Sequence, residues 1–376
     1  MNQDFLVYIG TYTEPILFGT GKILQGKGEG IYVYRMDSVS GTMELIRTIT
    51  GITNPSYLAF DSSCRYLYAV NELKSYQDEP TGTVSAFSVD SKTGQLKFLN
   101  KKPTGGTDPC HLTVDKTGRH VLLANFMSGS VCVLPIRADG SLGDASDFKQ
   151  HQGSSIDPNR QQGPHAHAVT LDESNRHAFV PDLGLDKTLI YRFNVESGRL
   201  EPSEEPWVAL KPGAGPRHLV FHPNGQYAYL INELDSTTTA YNYDCRKGRL
   251  LDIQTISTLP EDYHGTNTCA DVHVSPSGKF LYGSNRGHDS IVIYKIDQTT
   301  GRLHCIGHES SRGNTPRNFA IDPAGNFLLA ANQDSDTIVT FLIDPQSGQL
   351  HPSGQITGVP TPVCVKIIPR QASKNS

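Results

Sequence analysis

The sequence predicts an all-β chain: a seven-bladed β-propeller with four antiparallel strands per blade, its ring closed by the two chain ends in one blade. Three observations carry that expectation. Two phrases of apolar strand and polar turn recur along 376 residues. Their copies stand about 52 residues apart. No segment with the period of a helix separates them.

The first phrase is a start that usually carries proline, a short apolar strand, a turn opened by Asp, His or Ser, and a second apolar strand ending in Asn or Asp. It reads NPSYLAFDSSCRYLYAVNEL at 54–73, DPCHLTVDKTGRHVLLANFM at 108–127 and GPHAHAVTLDESNRHAFVPDL at 163–183. It returns as GPRHLVFHPNGQYAYLINEL at 215–234, CADVHVSPSGKFLYGSNRG at 269–287 and TPRNFAIDPAGNFLLAANQD at 315–334. The second phrase is strand, Asp-x-x-x-Gly turn, strand. It stands at 30–45, 82–98, 239–253, 290–306 and 337–352, with looser copies at 129–142 and 188–202. Together they give units of four short strands joined by Gly, Asp and Asn turns, the pattern of propeller blades. Runs such as IYVY and IVIY are apolar on both faces, as strands sandwiched between neighbouring blades must be.

The second phrase occurs seven times and the first is complete only six times. Its missing halves stand at opposite ends: FLVYIGTYT (5–13) reads as a second strand and TPVCVKIIP (361–369) as a first. One blade is therefore expected to join three N-terminal strands to one C-terminal strand, which leaves no open sheet edge. The whole chain, 1–376, reads as one domain. A two-sheet sandwich leaves the seven copies unexplained.

Composition narrows the partners. Charged residues make up 19% and the net charge is −5, so a phosphate backbone finds no basic surface and nucleic acid is not expected. The apolar run at 5–9 follows Asp4 and is too short for a secretory signal or a membrane span, so no membrane partner is expected. The seven cysteines include no C-x-x-C pair; Cys64, Cys110, Cys132 and Cys364 sit in apolar strand patterns, which suits free thiols in a reducing cytoplasm.

In a propeller the first strand of each blade faces the central channel, so functional side chains recur at equivalent places. Stepping back five residues from the first-turn residue of each phrase gives Ser56, Cys110, His167, Arg217, Ala270 and Arg317. The residue after each closing Asn or Asp gives Glu72, Phe126, Leu183, Glu233, Arg286 and Gln333. Arg217, Arg286, Arg317, His167 and two carboxylates thus gather near one mouth, the composition of an anion-binding pocket. The closing Asn and Asp themselves read as structural loop caps. His111, His177 and His351 also read as structural, Glu72 equally as an ion-pair partner, and His165 as a residue that orients its loop. Two long insertions, 14–29 and 143–164, are placed to carry or cover a site.

YIGTYT with GIYVYRMD-x-x-x-G, the PHAH segment, GPRH followed by NEL, and SNRG resemble the bacterial lactonase family over roughly residues 5–370. That family includes propeller-type 6-phosphogluconolactonases and fungal 3-carboxy-cis,cis-muconate lactonising enzymes. The resemblance implies a site of His167, Arg217, Glu233 and Arg286, and a metal-independent hydrolysis of a small anionic lactone, 6-phosphogluconolactone first. Carboxymuconate-type lactonisation is the alternative. Glu233 or His167 is expected to take the proton of water, with Arg217 and Arg286 on the oxyanion and the substrate's charge. Arg317, His165, Glu72 and Gln333 are expected to complete the substrate-binding shell. No G-x-S-x-G supplies a covalent nucleophile, and no metal or cofactor is expected. The rival from another class is a non-catalytic interaction propeller. The sequence has one tryptophan, Trp207, and no repeated Trp-Asp. The chain is expected to act as a monomer or homodimer.

Overall fold

Four repeats open on a non-glycine residue in the left-handed region set directly before a proline: Asn54 (φ 41°), Asp108 (φ 51°), Thr315 (φ 59°) and Thr361 (φ 40°). The proline then starts, or closely precedes, the inner strand of a blade. The structure is a computed structural model describing residues 4–371, and among these residues lie seven four-stranded antiparallel sheets. A two-stranded ribbon, Ile16–Leu17 with Ile23–Leu24, forms inside the 14–29 insertion. The ends of the predicted domain, 1–3 and 372–376, lie outside the described residues.

The inner strands of blades 1 to 6 are Tyr57–Phe60, Pro109–Val114, Thr170–Leu171, Pro216–Phe221, Thr268–Val274 and Pro316–Ile321. Blade 7 pairs Pro362–Pro369 with Phe5–Thr11, followed outward by Gly30–Met36 and Met43–Thr50. Its register runs from Phe5 opposite Pro369 to Thr11 opposite Pro362. The ends are thus stitched as the incomplete repeats require.

Burial falls outward. Second strands such as Tyr227–Asn232 are wholly buried, while fourth strands such as Arg249–Ser257 are largely open on one face. The repeated turns have two structural uses. First, Tyr68, Tyr229 and Tyr282 donate their hydroxyls to Gly140, Gly301 and Gly348, each in the turn of the next blade, at 3.0, 3.1 and 2.9 Å. Second, the closing Asn side chains of blades 1, 5 and 6 tie each of these blades to the loop leaving the one before it. Asn71 Nδ2 donates to the Thr53 carbonyl (2.8 Å), Asn285 to Thr258 (2.8 Å) and Asn332 to Ser311 (3.0 Å). In blade 3 the place is held by Asp182, which pairs with His151 Nδ1 at 2.6 Å. These residues hold the ring together.

Part of the 143–164 insertion is not loop: Asp147–Gln150 is the outer strand of blade 2. Its pattern, DFKQ, is short and half-exposed, so no hydrophobic alternation marked it. No helix among the described residues is long and apolar enough to cross a membrane.

Candidate active site

Four inner strands carry one extra residue relative to their partner. The pairing skips between Pro109 and His111, Pro216 and His218, Cys269 and Val272, and Pro316 and Asn318. The residues left unpaired are Cys110, Arg217, Ala270 with Asp271, and Arg317. A bulge turns a side chain out of the pleat, and here it turns these positions toward the axis. Of these, Cys110 and Arg317 meet the residues leaving the second strands and both long insertions around a cavity of about 550 Å³.

Glu233 is the centre of the ion-pair network. Its Oε1 accepts from Arg160 Nη2 at 2.6 Å; its Oε2 accepts from Arg217 Nε at 3.1 Å and lies 2.9 Å from Arg286 Nη2 and 3.9 Å from His167 Nε2. Burial pushes this carboxyl up, but Arg286, Arg160 and Arg217 outweigh it and hold it well below the usual carboxylate range. It is a fixed anion whose oxygens are taken up by three guanidinium groups. Burial, then the charges of Arg217 and His218, keep the His167 imidazole well below its ordinary value. His167 is therefore neutral at physiological pH, with a lone pair available. Burial lowers Arg286 to about 10 against the pull of Glu233, so it stays charged at neutral pH.

Arg217 lies deeper than its ring position suggested. It does not line the main cavity; it closes the floor beneath Glu233. Its Nη1 donates to the Ala270 carbonyl and approaches His218 Nε2 at 3.1 Å. His218 Nδ1 bonds Asp271 Oδ1 at 2.8 Å, and Asp271 also pairs with His273 Nε2 at 2.9 Å. A buried chain, Glu233–Arg217–His218–Asp271, thus locks the guanidinium from below.

Arg317 is the opposite case. Among the described residues it has no hydrogen bond or ion pair; its guanidinium stacks over Tyr12 (5.7 Å) and Phe18 (5.2 Å) and lines the cavity. Phe18 belongs to the 14–29 insertion, whose Lys22 pairs with Asp334 across the mouth at 3.5 Å. The second insertion supplies Arg160, and Gln161 anchors it by donating to the Leu183 carbonyl at 2.8 Å.

Glu72 and Gln333 both line the cavity. Glu72 accepts from the Tyr12 hydroxyl at 3.0 Å, and burial raises its carboxyl. Gln333 Nε2 donates to Asp334 at 2.7 Å. His165 stands apart from the other members of the expected binding shell. It does not line the cavity: its ring stacks on Phe126 at 4.7 Å and its Nδ1 lies 3.0 Å from the Phe126 carbonyl, so it props the ring that does. Cys110 faces the cavity with its thiol pushed up by burial, which leaves it unionised and a weak nucleophile. Several cavity residues escaped the sequence reading, the charged Lys22, Asp334, Arg160 and Asp108 among them. Arg160 sits in an insertion without a repeat partner, and Asp108 stands two residues before the ring position. Among the described residues no three His, Cys, Asp or Glu side chains converge as a metal-ligand set.

The family model described as lactonase, 7-bladed beta-propeller, matches residues 6–367. The chain belongs to this lactonase family. Its relatives in the family include a 6-phosphogluconolactonase of Bacillus subtilis, 34% identical over 315 residues and 84% of each chain. Another 6-phosphogluconolactonase, from Formosa agariphila, is 36% identical over 318 residues, covering 84% of this chain and 85% of that one. Among solved structures, the periplasmic gluconolactonase of Pseudomonas aeruginosa superposes with a TM-score of 0.90. It is 34% identical, and the match covers 98% of this chain and all of that one.

Proposed function

We propose that this chain hydrolyses an anionic sugar-acid lactone, 6-phosphoglucono-1,5-lactone first, to the open acid. The observation that carries the reading is the division of labour among the cations. Arg160, Arg217 and Arg286 are ion-paired to one buried carboxylate, whereas Arg317 faces the same cavity with aromatic contacts and, among the described residues, no hydrogen bond or ion pair. A free guanidinium in a half-enclosed pocket is a phosphate or carboxylate receptor. Two named 6-phosphogluconolactonases among the relatives support the substrate.

The chemistry follows from the same groups. Neutral His167 accepts a proton from water as the oxygen attacks the lactone carbonyl. Arg286, whose Nε is buried without a partner, and Arg160 present N–H groups to the oxyanion that forms. Glu233 keeps these guanidinium groups in place, and Arg217 keeps Glu233 in place. The reaction is assigned without metal, because the Glu233 oxygens are taken up by three arginines, Glu72 accepts from Tyr12, and no three candidate ligands converge among the described residues. We assign it to the cytoplasm on the strength of seven free thiols, Cys245 and Cys305 exposed among them, in a monomer or homodimer.

The test is a panel of 6-phosphoglucono-, glucono-, galactono- and carboxymuconolactone with purified protein, following loss of lactone above the spontaneous rate. Fastest turnover of the phosphorylated lactone supports the proposal. A preference for carboxymuconolactone moves the chain to the lactonising branch, and inertness toward all four removes the enzyme reading.

A further inference from the structure

Asp108 opens the first phrase of blade 2, with its backbone fully used. Its N–H donates to the Leu73 carbonyl at 2.9 Å and its own carbonyl accepts from Phe126 N at 2.9 Å. Its side chain is not used at all. The residue is 3% exposed, lines the cavity, and neither carboxyl oxygen has a hydrogen-bond partner among the described residues.

Three other blades, those opening on Asn54, Thr315 and Thr361, show what a side chain at this repeat position does there. Asn54 Oδ1 accepts from the backbone N–H of Thr13 (2.8 Å) and Glu14 (3.0 Å). Thr361 donates to the Tyr12 carbonyl at 2.7 Å and accepts from Lys27 N at 3.1 Å. Thr315 donates to Asp334 at 2.9 Å. In each, the side chain holds a loop down. Blade 2 has an acid at the same place that holds nothing and faces the cavity. A buried carboxyl without partners is costly to a fold, so its use lies in the site.

Hydrolysis of a 1,5-lactone requires a second proton transfer. When water adds to C1, His167 takes one proton. When the tetrahedral intermediate collapses, the C1–O5 bond breaks and O5 leaves as an alkoxide, far too basic to depart unprotonated. His167 is the acceptor of the first step, Glu233 is pinned by three arginines, and the Cys110 thiol is buried and unionised. We propose that Asp108 is the catalytic acid that hands its proton to the departing ring oxygen. This rests on the lactonase reading above. The step balances: O5 gains the Asp108 proton, the product's C1 carboxyl ionises to solvent, and the proton held on His167 returns through solvent to Asp108.

Electrostatics supports the assignment. Burial, then the neighbouring charge of Glu72, raises Asp108 to about 7, with exposed Lys74 opposing. The other titratable groups bordering it are Cys110, two residues on, and across the cavity Arg317, Arg160 and His167. An acid of this strength is substantially protonated at neutral pH, as a proton donor must be.

The experiment compares pH–rate profiles of wild type, Asp108→Asn and Asp108→Glu on the lactone that wild type turns over fastest, after subtracting spontaneous hydrolysis. Wild-type kcat should fall as pH rises through about 7. Asp108→Asn should lose about a hundredfold or more in kcat, lose that alkaline limb, and change KM little. Asp108→Glu should recover part of the rate. Because the carboxyl supports nothing in the fold and asparagine tolerates the left-handed backbone at φ 51°, Asp108→Asn should melt at or above the wild-type temperature, while Asp108→Glu, with an added methylene at a buried left-handed position, should melt slightly below it. A wild-type kcat that does not fall through this range, or an Asp108→Asn variant with wild-type turnover and an intact alkaline limb, overturns the role of Asp108 and leaves the lactonase reading standing. A wild type inert toward every lactone overturns that reading, and this inference with it.

Discussion

Replacing Glu233 with glutamine removes the single negative charge on which Arg160, Arg217 and Arg286 converge. The three contacts measure 2.6, 3.1 and 2.9 Å, and no partner side chain is more than 14% exposed, so solvent screens them little. Glutamine keeps the shape but leaves three guanidinium groups facing one another. Breaking a buried pair by deleting one partner costs about 3–5 kcal/mol. With an unfolding entropy of about 2 cal/mol/K per residue, that amounts to a fall of roughly 4–6 °C in Tm for this length of chain. The sign with pH is fixed. Glu233 is depressed in the folded state, so its contribution is complete above the ordinary carboxylate value of 4.5 and is lost only as pH falls through the lower folded value. The gap between variant and wild type should therefore be equal at pH 6 and pH 8 and close in strong acid. Calorimetry across pH checks stability, and steady-state kinetics should show kcat down by about a hundredfold or more as the arginines lose their positions. Equal melting temperatures together with wild-type turnover would refute the reasoning.

Three further outcomes follow from the same structure. Arg317→Ala should raise KM about tenfold or more for a phosphorylated lactone and leave KM for its unphosphorylated counterpart nearly unchanged, since losing one charge-assisted contact is worth about 1.5–3 kcal/mol; equal effects on both substrates would contradict its assignment to the phosphate. Gly301→Ala should lower stability by about 2–4 kcal/mol, because Gly301 has φ 71° and a methyl there runs into the Tyr227 ring of the preceding blade; thermal denaturation measures it. Ending the chain before Pro362 removes the strand paired along Phe5–Thr11 and should give insoluble or uncooperatively unfolding protein, whereas a soluble, cooperative product would count against closure by the chain ends.

The ring was legible because blades repeat, and a repeat converts sequence position into height in the channel. That carried Glu233, Arg286, Arg317, Glu72, Gln333 and His167 to one cavity from spacing alone. Direction was harder to read. A bulge sends Arg217 to the floor and Arg317 to the open cavity from equivalent positions, and what differs is the neighbours: His218 and Asp271 hold one, Tyr12 and Phe18 the other. Arg160 was hidden because 143–164 has no counterpart in other blades against which to align it. Asp108 was hidden by resemblance, since its fellows Asn54, Thr315 and Thr361 are loop fasteners and a single sequence does not show that one copy has been left unfastened. His165 fell in a motif beside a cavity residue, yet its ring serves Phe126.

The central claim is that this channel mouth opens an anionic lactone without metal. The most direct measurement follows the 31P and 13C resonances of freshly prepared 6-phosphoglucono-1,5-lactone at pH 6.5, where spontaneous opening is slow, with catalytic amounts of protein pre-treated with EDTA. The account predicts 6-phosphogluconate forming far faster than in the protein-free control, at a rate that chelation leaves unchanged. Opening at the control rate, or activity that disappears with EDTA and returns with added calcium, would contradict it.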